Sequence, residues 1–146
     1  MRMKEQLYWE DVREGEEIHP LFKFPSTRQL VMWAGASEDY YELHYDKNFA
    51  AKTGFPEVIL PGGLKAAFLS QMLTDWIGKG GWLRKLSCEY EKVDYPGQEL
   101  ICRGKVRRKR VEEEEHLVEC EVWVENRQGE VTTSGSALVI LPFKEY

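Results

Sequence analysis

The two residues in this 146-residue chain best suited to moving protons are Asp39 and His44, five positions apart in the stretch "ASEDYYELHYDKNFAAKTGFPEVILPGGLKAAF". A carboxylate and an imidazole that reach one water or one substrate atom can remove a proton there and deliver one elsewhere. The spacing restricts how they could cooperate. On a helix, residues five apart point about 140° away from each other and cannot share a target. In a loop they can. Tyr40, Tyr41 and Tyr45 lie in the same stretch, and burial of their rings would pin such a loop. Taken alone, the spacing reads more readily as an aspartate capping the next turn beside a structurally satisfied histidine. The surrounding residues change that balance.

The elements that must position the pair follow from periodicity. A short strand is expected over Glu17–Phe24. Ser26 then supplies an N-cap hydroxyl, with Gln29 at the reciprocal capping-box position. Leu30, Val31 and Ala34 form the apolar stripe of that helix, and Gly35 and Ser37 are expected to end it. A looser region from Glu38 to Pro61 carries a short helix over Lys47–Lys52. In "GGLKAAFLSQMLTDWIGKGG" apolar residues cover most of the helix circumference, which predicts burial on most sides. Gly78, Gly80 and Gly81 suit its termination. From Trp82 the period becomes two, as in Leu100, Cys102, Gly104 and Val106 and in Val118, Cys120, Val122 and Val124. These are long antiparallel strands with one wet and one dry face. An α+β domain spanning 1–146 is expected, its sheet curled around one buried helix in the hot-dog arrangement. A single sheet of this kind leaves an edge, which predicts dimerisation.

Composition narrows the function classes. The hydrophobic share of 42% and charged share of 31% are those of a globular chain, and the net charge of −5 gives no reason to expect nucleic acid. No stretch has signal-peptide or membrane-spanning character, so a cytoplasmic protein with no membrane partner is expected. Cys88, Cys102 and Cys120 are widely separated, with no metal-ligand spacing, and read as inward-facing thiols of strands. The basic run Arg107–Arg110 is followed at once by Glu112–Glu115, as at a solvated hairpin tip with paired charges.

The stretch quoted above resembles the MaoC-like family of hot-dog enoyl-CoA hydratases and dehydratases, whose signature runs approximately A-S-G-D-x-N-P-[IL]-H-x-D. Ala36, Ser37, Asp39, Leu43, His44 and Asp46 fall on matching positions, and Ala50, Gly54, Pro56 and Gly63 follow at compatible spacing. Tyr41 stands where asparagine is usual and Glu42 where proline is usual. Gly62 occupies the place of a frequent histidine. The resemblance implies reversible addition of water to a trans-2-enoyl thioester, with Asp39 and His44 as the catalytic dyad. Gly63 becomes the backbone donor to the thioester oxygen at a helix N-terminus, where developing negative charge is favoured. Ser37, Tyr40, Tyr41, Gly62 and Leu64 become the substrate-binding set. An acyl-CoA is the implied substrate, Lys65 or the arginine run is a candidate for its phosphates, and no metal or redox cofactor is implied. A homodimer is expected, with a heteromer of two hot-dog chains as the alternative assembly. A hot-dog thioesterase and a non-catalytic subunit are the rival readings.

Overall fold

The computed structural model describes residues 5–145. Five strands, β1 (Glu17–Lys23), β2 (Trp82–Tyr90), β3 (Leu100–Glu112), β4 (Glu115–Asn126) and β5 (Val131–Ile140), make one sheet in the order β1-β3-β4-β5-β2. Every pairing is antiparallel. Three α-helices precede most of the sheet: α1 (Thr27–Ser37), α2 (Lys47–Lys52) and α3 (Gly62–Ile77). This is the hot-dog architecture expected from the sequence.

Helix α3 lies on the sheet through Leu64, Phe68, Leu69, Met72, Leu73 and Ile77, all buried. Facing them are Ile18, Cys102, Val106, Cys120, Val122 and Val139, the dry positions of the alternating strands. Gly104 lets the helix come close: a Cβ there would lie 2.8 Å from Ile18 Cδ1 and 3.2 Å from Met72 Cε. The helix is less enclosed than its composition predicts. Gly63, Gln71, Thr74 and Asp75 are exposed on the side away from the sheet, because one twisted sheet covers only one flank. Strands β1 and β2 are the edges, and β2 leaves Trp82 and Tyr90 exposed.

Helix α1 begins as its cap signal predicts, with the Ser26 hydroxyl accepting from Gln29 N at 3.2 Å. Leu30 and Ala34 are buried, whereas Val31 is exposed and drops out of the stripe. The helix also continues through Gly35 and closes only after Ser37, where Glu38 adopts the left-handed conformation at φ 58°. That reversal carries the chain out of the helix at the residue just before Asp39.

Candidate active site

The loop after α1 is built from short-range hydrogen bonds. The Ser37 hydroxyl donates to Trp33 O at 2.6 Å and accepts from Asp39 N at 3.3 Å. Asp39 uses Oδ1 to accept from Tyr41 N at 3.3 Å, closing an Asx-type turn. A 3₁₀ turn over Glu42–His44 follows, anchored by buried Leu43. Asp46 caps α2, accepting from Asn48 N and Phe49 N. The second aspartate of the motif is therefore a helix cap.

These bonds leave Asp39 Oδ2 aimed at His44, 3.9 Å from Nε2. The His44 side chain is only 11% exposed, while that of Asp39 is 47% exposed. His44 Nδ1 lies 2.9 Å from Ile59 O. A carbonyl oxygen can only accept, so in the neutral ring Nδ1 holds the proton and Nε2 presents its lone pair toward Asp39. Ile59 N in turn donates to Leu43 O at 3.2 Å, fastening the extended 59–60 segment beside the histidine. Tyr41 covers the ring edge-on, with centroids 5.7 Å apart, and packs likewise on Phe49.

A cavity of about 230 Å³ opens beside His44, bounded by Ile59, Gly62, Lys65, Tyr90 and Val93 among others. Helix α3 begins at its rim. Pro61 occupies the N-cap position and supplies no side-chain cap, and the first N–H groups of any α-helix lack an intrahelical acceptor. The N-terminus is thus a donor site with positive potential. Gly62 approaches the Tyr90 ring closely: a Cβ would fall 2.7 Å from it, so any larger residue has to displace that ring. Burial first, and then Cys88, push the Tyr90 phenol above its ordinary value, so it is a neutral hydroxyl near pH 7.

The sequence-derived set divides on this geometry. His44 and Gly62 line the cavity, Asp39 faces His44, Tyr41 covers His44, and Ser37 holds the backbone of Asp39. Gly63 does not line the cavity; its missing side chain looks toward Trp33, 3.1 Å from an ideal Cβ. Leu64 is core, and Tyr40 is exposed, touching the loop through its carbonyl, which accepts from the Tyr45 hydroxyl. Lys65 is 2% exposed and ion-paired with Asp94 at 3.1 Å, which removes it as a free cation for phosphates. Tyr90, Val93 and Asp94 lie outside the sequence-derived set: Tyr90 ends β2, and Val93 and Asp94 follow it in an irregular segment with no periodicity to read.

A second, larger groove of about 570 Å³ crosses the face of the sheet opposite α3. It is lined by Lys85, Arg107, Arg108, Arg110, Glu119 and Ser136 among others. Arg110 is paired with both Glu119 and Glu112, and Glu115 binds Arg84. Charge pairing near this hairpin therefore follows the expectation in part, while Arg107 and Arg108 face the groove instead.

Comparison with known proteins agrees with this architecture. Residues 12–128 match the MaoC like domain family. An (R)-specific enoyl-CoA hydratase of Aeromonas caviae is 29% identical over 115 residues, covering 78% of this chain and 84% of that protein. The unliganded R-hydratase PhaJ1 of Pseudomonas aeruginosa superposes with a TM-score of 0.86 at 23% identity, over 95% of this chain and 88% of that one. A chain of the ChsH1-ChsH2 complex from Mycobacterium tuberculosis superposes with a TM-score of 0.78 at 17% identity, over 88% and 98% of the two chains. With residues 12–128 matched to that family model, the chain belongs to the MaoC-like dehydratase family.

Proposed function

We propose that this protein is an enoyl-thioester hydratase/dehydratase acting on acyl-CoA. The observation that carries the reading is the placement of Asp39 and His44 across from each other beside an uncapped helix N-terminus. A thioester seated in the cavity has its carbonyl oxygen at the N–H of Gly62, which lines the cavity, in preference to that of Gly63. A water held between Asp39 Oδ2 and His44 Nε2 loses a proton to this pair as its oxygen bonds to the β-carbon. Electron density moves through the α-carbon to the thioester oxygen, where the helix N-terminus stabilises the enolate. The pair then returns a proton to the α-carbon. Water is consumed, the C=C bond becomes a C–C bond, and the enzyme ends in its starting protonation state. Dehydration is the same path reversed.

The partner is a second hot-dog chain, most simply another copy, since β2 is an edge strand with Trp82 and Tyr90 exposed. The test of function is incubation of the purified protein with trans-2-enoyl-CoAs from crotonyl-CoA to longer and branched chains. Conjugated enoyl absorbance and free thiol are followed in parallel. Loss of the enoyl signal without thiol release is expected. Stoichiometric thiol release would instead establish a thioesterase, and no reaction with any chain length would favour a subunit that needs a partner.

A further inference from the structure

One buried charged group takes no part in the proton transfers. Lys65, in the first turn of α3, points its ammonium into the protein. A cation in that turn opposes the helix dipole, and burial adds a desolvation cost. Its Nζ donates to Asp94 Oδ2 at 3.1 Å and to Lys92 O at 3.0 Å. Asp94, itself 2% exposed, also accepts from the Thr132 hydroxyl at 2.6 Å through the same Oδ2. Its main-chain oxygen accepts from Leu60 N at 2.9 Å. Three separate pieces of chain converge here: the start of α3, the 91–94 segment after β2, and the start of β5.

The consequence lies one residue away. Leu60, tied to Asp94, follows Ile59, whose carbonyl takes the Nδ1 proton of His44. Leu60 also precedes Pro61 and Gly62, where the helix N-terminus opens. Asp94 therefore holds both ends of the 60–65 segment: Lys65 through its carboxylate and Leu60 through its main-chain oxygen. We propose that Lys65 and Asp94 are positioning residues. Their pair fixes the segment that sets the His44 tautomer and the direction of the Gly62 N–H. A buried pair is a weak stabiliser beside apolar residues of the same shape, so its specific effect is orientation. The proposal rests on the hydratase reading for its kinetic part and on His44 alone for its structural part.

The experiment compares wild type with the double variant Lys65→Met/Asp94→Leu, which removes both charges and leaves neither unpaired. Nitrogen NMR of the histidine rings reads the His44 tautomer and its titration without any substrate. The groups facing that ring are Asp39 and Tyr41, with Lys65, Lys92, Glu91 and Tyr90 around the same cavity. In wild type, the Nδ1–H form is expected. In a double variant that melts near the wild-type temperature, we expect mixed tautomers, a displaced titration midpoint and a fall in kcat of about tenfold or more with KM little changed. An unaltered tautomer and midpoint in the folded double variant would overturn the positioning role, whatever the wild-type activity. Absence of wild-type turnover would count against the hydratase reading alone. If the double variant does not fold, Thr132→Val removes one bond to Asp94 while keeping both charges. A several-fold kcat loss with a shifted His44 titration is then expected, and no change in either would overturn the proposal.

Discussion

Asp39 Oδ2 and His44 Nε2 stand 3.9 Å apart, too far for a hydrogen bond and close enough to share one. A water at ordinary hydrogen-bond distance from both, about 2.8 Å, would see them at roughly a right angle. That spacing leaves room for a third atom between the two groups, with neither using up the other's lone pair. A histidine merely satisfied by an aspartate would sit nearer.

Asp39→Asn separates chemistry from architecture. The asparagine oxygen can still accept from Tyr41 N, so the turn survives, while the proton acceptor facing His44 is lost. We expect kcat to fall by about 10²–10⁴-fold, with the melting temperature within about 3 °C of wild type because the side chain is half exposed. Steady-state kinetics beside thermal melts check this. Wild-type activity in the variant would remove Asp39 from the mechanism.

The adjacent glycines give a paired test. Gly62→Ala places a methyl on the Tyr90 ring, which is at the exposed end of its strand and can swing aside. Folding should be retained, while the displaced ring and crowded helix N-terminus should lower kcat/KM by about tenfold or more. Gly63→Ala meets only the edge of Trp33 and should cost activity far less. The reverse order would return the oxyanion role to Gly63.

The β3–β4 hairpin turns through Glu113 and Glu114, both at positive φ, 49° and 67°. Two-residue turns of this hand favour Asn-Gly, and two glutamates carry both a conformational penalty and mutual repulsion. Replacing them by Asn-Gly should stabilise the protein by about 1 kcal/mol, or roughly 3 °C. Enoyl-CoA turnover should not change. A lower melting temperature would contradict the turn assignment.

Burial pushes the thiols of Cys102 and Cys120 up to about 12, and raises that of Cys88 as well. Near pH 8 the two core thiols are almost wholly protonated in the native state, so a thiol-disulfide reagent should meet Cys88 first and the others only on unfolding. The same shifts fix a stability trend. The unfolded chain releases these protons near pH 9, whereas the native state holds them toward 12. The contribution is complete below pH 9 and is lost as pH rises through that window, by up to ~1.4 kcal/mol per thiol per pH unit. Equal, rapid labelling of all three in native buffer would contradict this burial.

Local signals carried much of the fold. Ser26 capped the helix it was expected to cap, Lys47–Lys52 formed the short helix, and strand alternation identified the dry face that meets α3. The Asp39–His44 pair was legible because its loop is built from neighbours. What escaped depends on contacts distant in sequence. Val31 belongs to a helical stripe by spacing, yet the side it occupies has no sheet above it. A lysine inside an apolar helix implies a buried partner, but nothing in the chain marks Asp94, 29 residues later, as that partner. The choice between Gly62 and Gly63 turns on one residue of helix start and on where Tyr90 lies.

The two oxygens of Asp39 have different employments: one closes the turn with Tyr41 and the other faces His44. A surface aspartate free to rotate would have to select its working rotamer in every turnover. Here the turn makes that selection when the loop folds, so in the proposed hydratase the carboxylate is already oriented when substrate arrives.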